Sequence, residues 1–113
     1  SIQTAIPSAD PSWFGFLMTL NEQAPLSRTQ FAEHLEKAKI QTRNLFAGNL
    51  TRHPCFDRMK ESVDYRIAAP LTNTDVIMNQ SLWIGVYPGM TSSHLDYMCE
   101  VICKSSALHN RGS

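Results

Sequence analysis

The 113-residue chain has no excess of charge, because ten basic residues balance ten acidic ones. Dedicated nucleic-acid and membrane-surface binders usually carry a basic excess, so the balance argues against both classes. The chain also lacks an apolar run close to the roughly 20 residues that a membrane helix needs. Its opening, residues 1–11, lacks the basic-then-apolar pattern of a secretory signal. These absences favour a cytoplasmic domain with neither nucleic acid nor membrane as a partner.

Cysteine is scarce and odd in number, with only Cys55, Cys99 and Cys103 present. An odd count does not indicate a disulfide framework and fits a reducing compartment. Cys99 and Cys103 are four residues apart and would share a helix face, but no second ligand pair stands at a spacing that suits a metal. The sequence therefore predicts no metal site, and it places these two thiols on a buried apolar stripe.

The first half of the chain predicts a strand, a helix and a second strand. Residues 13–20 alternate large apolar side chains between two faces, as a strand does. Ser27 and Gln30 form a capping-box pattern, which starts a helix over Arg28–Lys39. Residues 40–46 can return as a strand.

The second half predicts a short helix, a strand and a last helix. Residues 54–64 suggest a helical turn and 65–68 a short extended piece. Asn73 and Asp75 are candidate caps for a helix that runs to about Gln80, and residues 82–87 form an apolar strand. Thr91 or Ser92 caps the last helix. Its predicted buried stripe consists of Leu95, Met98, Cys99 and Ile102, and the predicted core also contains Trp83 and Tyr87.

This order of elements predicts an α+β domain: a small, three-stranded, mainly antiparallel sheet with helices on one face. The length and the 42% apolar content suit one compact domain. We expect a linker at 1–12, the domain at 13–104 and a tail at 105–113. The Ser/Pro-rich start and the Asn-Arg-Gly-Ser end suggest a piece of a larger protein.

The segment 40–54, IQTRNLFAGNLTRHP, holds two arginines, two asparagines, a histidine and a glycine, but no acidic residue. Its end is too polar and too rich in Gly and Pro for a core. Groups that bind anions and hydroxyls are thus clustered on a loop, where a ligand-facing surface is expected.

An RNA-binding module is one interpretation of this segment. Residues 45–50 (LFAGNL) and 13–17 (WFGFL) look like the two signatures of the RNA-recognition motif, in which strand aromatics stack on bases. Their order along the chain is reversed, however, and the neutral charge offers little attraction for phosphates. The interpretation requires Phe14, Phe16 and Phe46 to lie side by side on the sheet.

Four segments together resemble one enzyme family: residues 12–16, 40–50, 71–75 and 83–89. They are similar to the C-terminal part of the CDP-4-keto-6-deoxy-D-glucose 3-dehydrases. These enzymes belong to the DegT/DnrJ/EryC/StrS-like sugar aminotransferases and dehydratases, which have the aspartate-aminotransferase (fold type I) architecture. The resemblance spans about residues 11–102 and implies a C-terminal small domain that lacks catalytic residues of its own.

In that family an N-terminal large domain holds pyridoxamine or pyridoxal 5′-phosphate, with a histidine where aminotransferases have lysine, and a [2Fe–2S] cluster. The resemblance implies removal of the C3 hydroxyl from a nucleotide sugar, with electrons from a flavin/iron–sulfur reductase, toward the 3,6-dideoxyhexoses of lipopolysaccharide O-antigen. It also implies a homodimeric parent, and a fragment that binds neither cofactor and is inactive alone. A sugar aminotransferase remains the alternative.

The resemblance indicates which residues of this domain would face the substrate. Arg43 has a planar fork suited to phosphate or paired hydroxyls, with a surface salt bridge as the competing role. Gly48 lets backbone approach a ligand and Asn49 offers donors and an acceptor to a sugar, with turn chemistry as the competing role. Arg52 and His53 extend the polar loop, although the family more often has Gln at the place of His53.

Phe14 is the last predicted site residue. Related sugar aminotransferases tend to carry a histidine at the matching place, and its loss would remove a proton donor and dry the pocket, which suits elimination. The competing role is core packing, because strand alternation puts Phe14 on one face with Phe16, Met18 and Leu20.

Overall fold

The computed structural model describes residues 1–106, which form an antiparallel three-stranded sheet and three α-helices. The strands, in spatial order β1-β3-β2, are β1 (Gly15–Thr19), β2 (Thr42–Asn44) and β3 (Ser81–Gly85). The helices are α1 (Arg28–Lys37), α2 (Thr72–Gln80) and α3 (Ser92–Ser105). The predicted class and order of elements are confirmed. Every helix within residues 1–106 is too short or too polar to cross a bilayer.

The core lies between one face of the sheet and helices α1 and α3. In the sheet, Met18 is paired with Leu82, and Phe16 with Ile84, so alternate residues of β1 and β3 enter the core. Leu35 of α1 and Leu82 are fully buried. Within residues 1–106 the buried apolar residues are Met18, Phe31, Leu35, Ile40, Leu82, Ile84 and Val101. Helix α2 adds no buried residue to it.

Helix α1 starts as predicted and ends two residues early. The Ser27 hydroxyl accepts from the Gln30 N–H while the Gln30 side chain accepts from the Ser27 N–H, which confirms the capping box. At the other end, Lys39 has φ of 63° and its N–H bonds to the Glu36 carbonyl, while the Ile40 N–H bonds to the Leu35 carbonyl. This left-handed helix end places Ile40 in the core, so β2 begins only at Thr42.

Helix α3 turns to the core a face that only partly matches the predicted stripe, since Met98 and Ile102 pack against the core as predicted. Thr91 is the N-cap, as predicted, but Leu95 and Cys99 are exposed. The inward stripe instead consists of Met98, Val101, Ile102 and Ser105. The predicted burial of Cys99 and Cys103 is therefore wrong. Both stripes have helical spacing, and contact with α1, where His34 Nε2 lies 3.1 Å from the Val101 carbonyl oxygen, settles which one is used.

The remaining segments are irregular. Residues 50–52 and 54–56 form short 3₁₀ turns, and Tyr65 makes only an isolated bridge to Glu61 rather than the predicted extended piece. The predicted linker begins alongside β1, where Ile2 bridges to Met18. Of the predicted tail 105–113, residues 107–113 lie outside the described part of the chain.

Candidate functional site

The sheet face opposite the core brings two predicted site residues together around an indole. Because Leu82 and Ile84 point into the core, Trp83 points to the other face, between its cross-strand partners Leu17 and Arg43. The Phe14 ring meets the Trp83 ring edge-on, with centroids 5.3 Å apart and planes at 73°. Phe14 and Arg43 therefore flank Trp83, a residue that sequence reasoning assigned to the core.

Phe14 is not a core residue. It is 67% exposed, because β1 begins at Gly15 and Phe14 lies just before the strand. Tyr87 is exposed as well, so the prediction of core packing is wrong for both residues. Gly15 allows the indole to approach, since a Cβ there would lie 2.5 Å from Trp83 Cε3. An aromatic surface at this end of the sheet is thus open to contact.

This surface does not fit RNA stacking. Phe16 is on the core side of the sheet, partly buried against the core cluster. Phe46 is 80% exposed but lies in the loop after β2, not on a strand. Because Phe14, Phe16 and Phe46 do not share one face, the requirement of the RNA-binding interpretation is not met.

A second group of predicted site residues lies in the loop after β2. This loop packs against α2. Gly48 has φ of +65°, a conformation that glycine adopts without the cost of a Cβ. A Cβ there would also lie 2.5 Å from Met78 Cγ. The tight approach seats the loop on α2, where the Asn49 N–H lies 3.3 Å from the Met78 sulfur.

Asn49 is the buried residue that holds this loop against α2. It is 3% exposed, and its Nδ2 donates to Asp75 Oδ1 at 2.7 Å. Its Oδ1 accepts from the Thr51 N–H at 3.1 Å and from the Thr51 hydroxyl at 2.8 Å. These bonds occupy the amide that the sequence had offered to a sugar, so in this structure the side chain positions the loop.

Asp75 ties Arg52 into the same network. Arg52 Nε donates to Asp75 Oδ1 at 2.7 Å and Nη2 donates to Oδ2 at 2.5 Å, a two-point contact at the surface. These bonds, followed by the one from Asn49, lower the pKa of Asp75 from 3.8 to about 2. The same contact raises the pKa of Arg52. The loop therefore carries a fixed ion pair at neutral pH.

Asp75 lies in the first turn of α2, but the prediction that Asn73 and Asp75 cap the helix is wrong. The N-cap of α2 is Leu71, which makes no side-chain cap. Asp75 instead reaches back to residues 23 and 26 positions earlier in the chain. No local sequence pattern signals such a contact, which is why sequence reasoning missed the residue that joins Asn49 to Arg52.

Two further polar residues of segment 40–54, Arg43 and His53, differ in how far they are exposed. Arg43 is exposed on the open sheet face, where its charge helps to lower the pKa of Glu36 after the larger effect of two hydrogen bonds from Thr42. His53 is half-buried, with Nε2 2.6 Å from the Ala47 carbonyl oxygen. Arg43 is thus the predicted cation that faces outward from the sheet.

The cysteines show no metal-binding arrangement. All three are exposed, and residues 1–106 contain no cluster of three or more His, Cys, Asp or Glu side chains suited to an ion. A [2Fe–2S] cluster needs four protein ligands, usually thiolates. The three thiols of this chain do not fit that requirement.

Comparison with known proteins decides the family. The model of the DegT/DnrJ/EryC1/StrS aminotransferase family matches residues 1–103. The chain belongs to this family. It is 53% identical over 94 residues to the lipopolysaccharide biosynthesis protein RfbH of Salmonella typhimurium. The aligned residues cover 83% of this chain and 21% of that relative. The chain is 46% identical over 103 residues to the dTDP-4-dehydro-2,6-dideoxy-D-glucose 3-dehydratase of Saccharopolyspora spinosa, covering 91% of this chain and 21% of the relative.

The predicted fold is confirmed by a solved relative. The E. coli GDP-4-keto-6-deoxy-D-mannose-3-dehydratase with bound hydrated PLP superposes with a TM-score of 0.76 at 24% identity, over 90% of this chain and 25% of that one. The chain spans about a fifth of the length of the curated relatives named above. The two curated relatives are thus named as a protein of lipopolysaccharide biosynthesis and as a sugar 3-dehydratase.

Proposed function

We propose that residues 13–104 are the C-terminal small domain of a nucleotide-sugar 3-dehydrase that uses pyridoxamine phosphate and a [2Fe–2S] cluster. The observation that carries the proposal is the 46% identity, over 91% of the chain, to a protein named as a sugar 3-dehydratase. The substrate we propose is CDP-4-keto-6-deoxyglucose, on the pathway to O-antigen dideoxysugars. The parent protein would be a cytoplasmic homodimer.

In this proposal the cofactors reside in an N-terminal large domain, since the cysteines of this chain do not fit the cluster. When bound there, pyridoxamine phosphate supplies an amine for the C4 ketone and an electron sink for loss of the C3 hydroxyl, and the cluster passes electrons from a flavin/iron–sulfur reductase. The present residues bind and orient the sugar nucleotide and exclude water from it.

Each predicted residue has a task that its setting supports. Phe14 presents an exposed apolar ring, which excludes water and offers no proton. Arg43, on the other side of Trp83, presents a cation for phosphate or hydroxyl groups. The loop presents its backbone at Gly48 and the Nη1 group of Arg52, which neither bond to Asp75 uses. Asn49 acts as a positioning residue.

The experiment compares the intact parent protein with the 113-residue chain. With CDP-4-keto-6-deoxyglucose, cofactor and reductase, the parent should give a product with a methylene at C3, detected by NMR. The chain alone should give no product and no absorbance in the cofactor or cluster bands. Such bands in the purified chain would contradict the assignment of both groups to the large domain.

A sugar aminotransferase is the second candidate, because the family is described by that activity. The same incubation separates the two, with an amino donor such as glutamate added. An amine at C4 with the C3 hydroxyl retained would identify the aminotransferase, and loss of the C3 oxygen identifies the dehydrase.

A further inference from the structure

Residues 54–70, which begin with the second 3₁₀ turn and end before α2, form a loop that is ordered but lies almost wholly in water. We call it the exposed loop. Only Phe56, Tyr65 and Ile67 are half-buried, and its other residues are exposed. The rings of Phe56 and Tyr65 meet edge-on, with centroids 5.0 Å apart and planes at 87°. The loop therefore has a fixed shape that owes little to the core of the domain.

Hydrogen bonds fix the tip of the exposed loop. The Lys60 N–H donates to Asp64 Oδ2 at 2.8 Å, and the Asp64 N–H donates to the Lys60 carbonyl at 2.9 Å. The Ser62 N–H donates to the Tyr65 carbonyl at 2.7 Å. These bonds hold Val63 at the tip with 78% of its surface exposed.

This arrangement costs free energy that the loop itself does not return. Ordering a backbone lowers its conformational entropy, and the burial of apolar surface normally compensates for that loss. Here the side chains of Met59 and Val63 stay exposed. Ser62 has φ of 68°, a left-handed conformation that favours glycine. A strained and ordered loop that keeps apolar side chains in water points to a contact with another molecule.

The charges of the exposed loop indicate which molecule it contacts. Along residues 57–66 their signs run minus, plus, plus, minus, minus, plus, and reading backwards reverses every sign. The charged residues are Asp57, Arg58, Lys60, Glu61, Asp64 and Arg66. Within residues 1–106 the ion pairs are Arg52–Asp75 and Glu100–Lys104, and neither uses a charge of this loop. In a two-fold contact residue i of one copy meets residue j of the other and j meets i, so two such loops running in opposite directions match opposite charges.

We propose that two copies of this chain associate through residues 57–66 around a two-fold axis. Asp57 of one copy meets Arg66 of the other, and Met59 meets Val63 on each side of the axis. The apolar centre excludes water, and the charges around it select the orientation. About ten residues a side is fewer than the 20–30 of a stable interface, so the dissociation constant should lie above about 1 μM. The contact needs neither substrate nor cofactor and does not depend on the proposed function.

Sedimentation velocity of the 113-residue chain at low ionic strength, from about 10 μM to about 1 mM, measures the association. The variants Asp57→Arg and Arg66→Asp each place like charges opposite each other at two points of the dimer. Each should weaken association about tenfold or more. An equimolar mixture of the two variants should restore it, because the changed residue of one variant then meets the changed residue of the other. A contact within one chain would show no such rescue.

Val63→Ser tests the apolar centre and should weaken association about tenfold. The matched control is Val76→Ser, an exposed valine on α2, which should leave association unchanged. The proposal is overturned if the chain stays monomeric at about 1 mM, if the charge variants associate as tightly as the unchanged chain, or if their mixture associates no better than either alone. None of these results bears on the proposed function, which the C3 product of the intact enzyme tests.

Discussion

Replacing Asn49 by alanine should release the loop from α2 and destabilise the domain. The 3%-exposed amide makes three side-chain hydrogen bonds, one to Asp75 and two from Thr51. Each is worth about 1 kcal/mol net. Asp75 keeps its bonds from Arg52, and half-buried Thr51 can reach water, so we expect a total loss of about 2 kcal/mol and a fall in Tm of about 10 °C.

Urea and thermal unfolding measure this loss, and faster amide exchange at Thr51 would locate it in the loop. Asn73→Ala is the matched control, an exposed asparagine on α2 that should change stability by less than about 0.5 kcal/mol. If Asn49→Ala unfolds like this control, the loop-positioning role is refuted. An effect confined to substrate affinity in the intact enzyme would instead support a direct contact with the sugar.

Three further predictions concern acid, the core and the reaction. Since the pKa of Asp75 falls from 3.8 to about 2 on folding, the native state binds fewer protons and stability should drop as pH falls from about 4 to 2. Asp75→Asn should flatten that slope in acid titrations, leaving a part due to Glu36 and Glu100, whose pKa values are also lowered. An unchanged slope would contradict the network. Leu82→Ala should lower the free energy of unfolding in urea by about 3 kcal/mol, because Leu82 is fully buried. The exposed control Leu50→Ala should lower it by less than about 0.5 kcal/mol, and equal losses would contradict the core assignment. Phe14→His in the intact enzyme should raise transamination relative to dehydration, and constant product ratios would exclude that role.

The features that sequence reasoning predicted well depend on local chemistry. Both helix starts at Ser27 and Thr91 follow from side chains that bond the backbone three residues on. The existence of β3 follows from a short apolar run that Pro88 and Gly89 end. Such signals act within a few residues, so they can be read without knowing the tertiary contacts.

The features that were missed depend on contacts distant in sequence. On α3 the burial of Met98 and Ile102 was predicted, but Val101 is buried where Cys99 was expected, because packing against α1 decides how the helix is rotated. Phe14 lies outside the core because β1 starts at Gly15, two residues later than predicted, and alternation does not define that boundary. The bond from Arg52 to Asp75 spans 23 residues, and only the folded loop brings these groups together.

Exchanging the matching segment of Salmonella RfbH for residues 13–104 of this chain tests the proposed role most directly. A chimera that folds and restores lipopolysaccharide biosynthesis in a strain lacking RfbH, and loses that ability with Arg43→Gln, is the predicted result. A chimera that is stable and abundant in the cell but does not restore it would contradict the assignment of this chain as the small domain of such an enzyme.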